Sequence, residues 1–158
     1  MNKGINIMKK LYQITDEGKR ELENELAELK GRRGEIADKI ADARDFGDLS
    51  ENAEYDSARE EQGLVESRIA EIEDIILNAE IIKGGSKSKV SLGSKVELKL
   101  GAKTFNYAIV GPVEADPLEG KISNESPIGL ALMGKKVGDV ATITTPKGDS
   151  TYEIVKIG

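Results

Sequence analysis

Between Asp42 and Glu61 the chain carries eight acidic residues and two basic ones, Arg44 and Arg59. The densest part reads Arg44-Asp45-Phe46-Gly47-Asp48-Leu49-Ser50-Glu51-Asn52-Ala53-Glu54-Tyr55. Asp48 and Glu51 stand three apart, a spacing with two readings. An Asp at a helix N-cap with a Glu at the third helical position forms a capping box. The same two carboxylates are half of a Mg²⁺ site, because Mg²⁺ takes oxygen ligands and is often held by one or two carboxylates, waters and substrate phosphates. An exposed pair binds the ion weakly by itself. It becomes useful where it enters a second site that already holds a metal ion and a phosphodiester, completing a two-metal arrangement. The readings are compatible, since a cap also holds both carboxylates at a helix start. Arg44 and Arg59 flank the pair, placed either to contact RNA phosphate or to pair with nearby carboxylates. Asp42, Glu54, Asp56, Glu60 and Glu61 read as a solvated face.

The rest of the composition narrows the chemistry. The 158 residues include no cysteine and no histidine. This excludes thiolate chemistry and disulfides and removes the usual general base near neutral pH. An attacking water would therefore be activated by a metal ion or a carboxylate. No apolar run approaches membrane-spanning length and no signal-peptide pattern opens the chain, so a cytoplasmic protein with no membrane partner is expected. The net charge of −6 is uneven: residues 1–83 hold 13 Lys/Arg against 21 Asp/Glu, and residues 84–158 hold 10 against 8. An acidic body is a poor general duplex binder, because affinity for nucleic acid comes largely from phosphate neutralisation. Any contact with nucleic acid should be local or arranged by another protein.

The acidic string must be carried by something, and the first half of the chain supplies it. Apolar residues follow a heptad with the seam Leu22, Leu26, Leu29, Arg33, Ile36, Ile40, Ala43 and then Tyr55, Ala58, Gln62, Val65, Ile69, Ile72, Ile76, Ala79. Steps of three and four mark a coiled coil. Gly47 suits a reversal between the seams. Folding back there sets Leu22 against Ile76, Leu26 against Ile72, Leu29 against Ile69 and Ala43 against Tyr55, so an antiparallel helical hairpin is expected. Each arm of roughly 30 residues would span about 45 Å. Arg33 opposite Val65 and Ile36 opposite Gln62 are soft spots, and Gly31, Gly34 and Gly63 cluster beside them. They read either as tolerated weakness or as a built-in bend.

The second half holds all four prolines, Pro112, Pro117, Pro127 and Pro146. Val96–Leu100, Phe105–Val110, Ala141–Thr145 and Tyr152–Ile157 have strand character, the last two joined by a Pro146-Lys147-Gly148-Asp149 turn. Ser126–Met133 reads as a short helix with Ser126 as N-cap, Pro127 at its first position and Gly134 just past its end. The expected fold is α+β in two domains: a helical hairpin over 8–83 with its acidic tip at 44–55, a flexible linker over 84–89, and a mostly antiparallel sheet domain over 90–158.

The string Ala43–Tyr55 closely resembles the tip signature of the Gre family of bacterial transcript-cleavage factors. The likeness continues through Ala58-Arg59-Glu60-Glu61-Gln62-Gly63, Arg68-Ile69 and Asn78-Ala79-Glu80-Ile81-Ile82. In the second half it includes Ser126-Pro127-Ile128-Gly129, the Gly134–Asp139 turn, and the closing Thr145-Pro146 and Tyr152-Glu153-Ile154-Val155-Lys156-Ile157. It covers the chain from Met8 onward; residues 1–7 look like an extension, with Met8 as an alternative start. The resemblance implies an N-terminal antiparallel coiled coil and a C-terminal domain similar to FK506-binding proteins. It implies docking at the rim of the secondary channel of bacterial RNA polymerase, with the hairpin passing down that channel; the free hairpin itself suggests a monomer. There it would stimulate the polymerase's own cleavage of the nascent RNA 3′ end in backtracked complexes. The protein would not itself be an enzyme. Asp48 and Glu51 would help hold a second Mg²⁺ shared with the polymerase active centre and not bound tightly by the free protein. Tyr55 would support the tip or contact RNA, and Arg44 and Arg59 fall at positions associated with transcript contact. Phe46 departs from a position that is often polar in the family.

Three rival readings remain at this level. Inhibitory relatives share the architecture and block the polymerase channel, but differ at the tip. The fold analogy alone suggests a peptidyl-prolyl isomerase, although fold does not carry function and residues 84–158 offer only Phe105, Tyr107 and Tyr152 as aromatics. A structural coiled-coil adaptor would make the acidic tip incidental.

Overall fold

The computed structural model describes residues 11–45 and 52–158. The elements are β1 (Tyr12–Thr15), α1 (Asp16–Asp45), α2 (Ala53–Leu77), β2 (Ala79–Ile82), β3 (Lys95–Leu100), β4 (Lys103–Val110), β5 (Lys121–Ser123), α3 (Pro127–Leu132), β6 (Val140–Thr145) and β7 (Gly148–Ile157). They form two compact units. One is the helical segment Lys19–Asn78; the other combines the described residues up to Gly18 with Ala79–Gly158. The α+β class expected from the sequence is the one observed, with helices α1 and α2 ahead of a mostly antiparallel sheet.

In the helical unit the heptad pattern produces the packing it implies. Ile36, Ile40, Ala58, Val65 and Ile69 form a buried cluster, with Leu26, Leu29 and Tyr55 against it. Ion pairs bracket the expected register: Arg32 with Glu61 at 2.8 Å, Arg33 with Glu66 at 2.9 Å, and Arg68 with Glu25 at 2.6 Å. Arg33 is the polar interruption of the seam, and it resolves by leaving the seam for the exposed Glu66. At the far end of α2 the buried stripe slips by one position. Ile75 is 2 % exposed, whereas Ile76, the expected seam residue, is only half-buried.

The three hairpin glycines need no close approach, because a Cβ added at Gly31, Gly34 or Gly63 meets nothing within 4 Å. Both helices run through them without a break. The tolerated-weakness reading therefore fits, and a bend has no geometric support. Gly34→Ala is expected to stabilise the hairpin by about 1 kcal/mol through helix propensity. Thermal unfolding followed by helical circular dichroism checks this, and a neutral or negative shift would mean that Gly34 serves some other purpose.

The other unit is built on a five-stranded sheet of order β5-β4-β3-β7-β6. Only the β4–β5 pair is parallel; β3–β4, β3–β7 and β6–β7 are antiparallel. Alternation puts Val96 and Leu98 of β3 inward, where they join Val90, Ile109, Ile122, Leu132, Ala141, Ile154 and Ile157 in one core. The short helix α3 forms where the sequence places it. Ser126 is its N-cap, accepting from the Gly129 N–H at 3.1 Å, and Pro127 opens the first turn. Gly129 is dictated by contact: a Cβ there would collide with the Ser123 carbonyl oxygen. Beyond the expected strands lies a separate two-stranded parallel sheet, β1 with β2, in the register Tyr12 to Ala79 through Thr15 to Ile82. These strands flank the helices and belong to the sheet-bearing unit.

Candidate functional site

The acidic tip lies where α1 ends and α2 begins. Asp48 and Glu51, together with Phe46, Gly47, Leu49 and Ser50, fall outside the described residues. The two ends that carry them are well defined. α1 closes at Asp45, with Arg44 in its last turn, where a cation suits the negative end of the helix dipole. α2 opens at Ala53, and its N-cap is Asn52. The capping-box reading had put Asp48 in that role. Asn caps as well as Asp, and the Asn52-Ala53-Glu54 step, with Glu54 and Asp56 in the first turn, was the available signal for the later start.

Asn52 does more than cap. Its Oδ1 accepts from the Tyr55 N–H at 3.0 Å, and its Nδ2 donates to the Ala43 carbonyl at 2.6 Å. Tyr55 is half-buried, its ring packed against the hairpin cluster. The Arg44 guanidinium carbon lies 6.0 Å from the centre of that ring, within cation–π range. Arg59 is exposed and donates to the Gln62 side chain at 3.1 Å. Among the described residues neither Arg44 nor Arg59 forms an ion pair. Tyr55 and Arg44 are thus brought together across the hairpin, while Arg59 stays on its own helix.

Of the five acids read as a solvated face, Asp42, Glu54, Asp56 and Glu60 are exposed. Glu61 is the exception. It accepts from Arg32 at 2.8 Å and from Lys39 at 3.4 Å. The Arg32 hydrogen bond, helped by Lys39, holds its carboxyl below the ordinary glutamate range. Farther from the tip, Arg68 grips Glu25 with two contacts, Nε at 2.6 Å and Nη2 at 3.1 Å, and reaches Glu71 at 2.8 Å. The hydrogen bond from Arg68 is the main cause of a lowered Glu25 pKa, opposed by partial burial and reinforced by the Arg68 charge. Among the described residues no three acidic side chains converge into a metal-binding group.

The Glu25 pair sets a pH dependence. A carboxylate held below its unfolded pKa adds stability above the unfolded value, and that stability is lost as pH falls through the folded value. The hairpin should therefore lose stability below the ordinary glutamate range. Glu25→Gln should lower stability modestly at neutral pH, by less than about 1 kcal/mol for so exposed a pair, and should flatten the acid limb. Melting temperature against pH for both proteins is the check, and identical acid limbs would remove Glu25 from the account.

Residues 12–81 match the family model described as transcription elongation factor, N-terminal, and residues 85–158 match that of transcription elongation factor, GreA/GreB, C-term. The chain belongs to the GreA/GreB family. Within it, the chain is 51 % identical over 154 residues to transcription elongation factor GreA of Bacillus cereus, covering 94 % of this chain and 97 % of that one. The Bacillus subtilis GreA is 51 % identical over 153 residues, with the same coverage. Among solved structures, GreA factor homolog 1 of Thermus thermophilus is 32 % identical, covers 94 % of this chain and 99 % of its own, and superposes with a TM-score of 0.45. The matched N-terminal region includes the tip motif Ala43–Tyr55.

Proposed function

We propose that this chain is a transcript-cleavage elongation factor that rescues backtracked or arrested bacterial RNA polymerase. The observation that carries the reading is family membership over both halves of the chain, joined to a long helical hairpin whose two helices are connected in sequence by the stretch holding Asp48 and Glu51. The hairpin enters the secondary channel from a docking point at its rim, and the tip meets the extruded RNA 3′ end. Asp48 and Glu51 are oxygen-only donors, the chemistry that suits Mg²⁺ rather than a softer metal. When bound there, Mg²⁺ supplies charge stabilisation to the attacking and leaving oxygens of the phosphodiester.

The chain's own residues do the rest. Asp48 and Glu51 contribute negative charge and hydrogen-bond acceptors that orient the attacking water. Tyr55, wedged on the hairpin cluster, supports the tip. Arg59, exposed and without an ion pair among the described residues, is available to a transcript phosphate. The nuclease is the polymerase, so the factor acts as a non-enzymatic monomer wherever the polymerase works, in the cytoplasm. The isomerase alternative is disfavoured by the cleft over β3 and β4, about 420 Å³, where Tyr107 is the single aromatic among Lys95, Glu97, Glu119 and Lys156.

The test is a stalled, backtracked polymerase complex carrying 3′-labelled RNA and Mg²⁺. Adding the protein should speed release of short 3′ fragments well beyond the intrinsic rate and restore an extendable end. Binding without acceleration would support the channel-blocking alternative, and no binding would remove the polymerase as partner.

A further inference from the structure

Across the hairpin, just below the reversal, one side chain ties the two arms. Asn52 Nδ2 donates to the Ala43 carbonyl at 2.6 Å while Oδ1 accepts from the Tyr55 N–H at 3.0 Å. The Ala43 carbonyl lies in the last turn of α1, where no partner exists among the described residues of the helix. Ala43 is itself 3 % exposed, so an unmet carbonyl there would be costly. Capping α2 requires only an acceptor, which Ser, Thr or Asp would supply as well. The donor end is what an amide adds, and it is spent on the opposite arm. Tyr55, held by its N–H, also packs its ring on the hairpin cluster and lies under Arg44, the neighbour of Ala43. Ala43, Arg44, Asn52 and Tyr55 therefore form a closed circuit between the last turn of one helix and the first turn of the other.

We propose that Asn52 is a positioning residue for transcript cleavage: it fixes the spacing of the arms from which Asp48 and Glu51 are presented. The inference rests on the cleavage-factor reading above. Groups that must meet a reacting phosphodiester tolerate little displacement, and a shift of about 1 Å can cost roughly a hundredfold. A tie at the base of the tip limits fraying of both helix ends, where backbone order is otherwise weakest.

Asn52→Ser and Asn52→Ala separate the two halves of the tie. Serine keeps an acceptor for the Tyr55 N–H but is too short to reach Ala43; alanine loses both contacts. Each variant is compared with the wild type in the backtracked-complex assay, reading the saturating cleavage rate and the factor concentration that gives half of it. Amide hydrogen exchange at Tyr55 is measured on the free proteins. For Asn52→Ser we expect a saturating rate lower by about tenfold or more, in the range seen when groups that orient ligand side chains are lost. Its half-saturating concentration should be unchanged and its Tyr55 amide still protected. Asn52→Ala should show the same loss of rate and faster exchange. A wild-type rate for Asn52→Ser would reduce Asn52 to a helix cap and overturn the inference. So would a raised half-saturating concentration with an unchanged saturating rate, which would place Asn52 in docking. Loss of Tyr55 protection in Asn52→Ser equal to that in Asn52→Ala would make it a folding residue only. Failure of the wild-type protein to stimulate cleavage would instead overturn the cleavage-factor reading itself.

Discussion

Replacing Asp48 by Asn is expected to leave the protein bound to polymerase and to lower stimulated cleavage by about 10²-fold, the usual cost of removing one preorganised electrostatic group from a reacting centre. The substitution changes one oxygen for an amide nitrogen and removes one charge, with little change of shape. It also leaves α2 capped, because the cap is Asn52. A loss of cleavage therefore cannot be assigned to helix fraying. Glu60→Gln is the matched control. It removes the same charge from an exposed site on α2, so it should cleave at the wild-type rate. The measurement is cleavage at saturating factor together with competition against labelled wild-type protein for the polymerase. If Asp48→Asn cleaves normally, the carboxylate pair has no chemical role. If Glu60→Gln falls as far, general acidity of the tip is what matters.

Leu98→Ala should produce the largest loss of stability, about 3–5 kcal/mol by removal of a buried side chain and the cavity left behind. Leu98 is 0 % exposed in the central strand of the five-stranded sheet. It faces Phe105 on β4 and Ile154 on β7, so its contacts come from both neighbouring strands. Strands held on both sides collapse poorly around a cavity, which puts the site toward the expensive end of the range. Leu98→Met keeps the volume and should cost less than about 1.5 kcal/mol. Denaturant unfolding followed by the near-ultraviolet tyrosine signal, with Tyr55→Phe as common background to remove the hairpin's contribution, reads this unit, since Tyr107 and Tyr152 pack against its core. Equal stabilities for the alanine and methionine variants would mean that Leu98 is not a packing centre.

The hairpin was legible because a coiled coil announces itself by period. Ile36, Ile40, Val65 and Ile69 were read as seam and are buried. The β6–β7 pair was legible from its turn, although pairing runs closer to the reversal than expected, with Thr145 opposite Gly148. Gly148 takes φ +119°, a conformation that favours glycine. The parallel strands were not legible. β1 and β2 are four residues each and β5 three, too short for alternation to register against the flanking helix pattern. β1 also pairs with a partner far along the chain, and no local signal encodes such a match. At the tip, residue types pointed to the chemistry, but the helix start was placed at Asp48 because the Asp-x-x-Glu spacing outweighed the equally good cap at Asn52. The tie from Asn52 to Ala43 was beyond sequence reasoning, because it depends on which backbone carbonyl the second arm meets.

The β1–β2 pair has a consequence for how far the tip can reach. The chain leaves β1 at Thr15 and returns in β2 at Ala79, and the two strands lie side by side in fixed register. Everything between them is a detour whose two feet stay neighbours however long it grows. Adding or removing one heptad from each arm together would preserve the seam and leave the strand pair untouched, while moving the tip by about 10 Å. Arm length is thus adjustable in heptads, without redesign of the strand pair that brackets it in the chain.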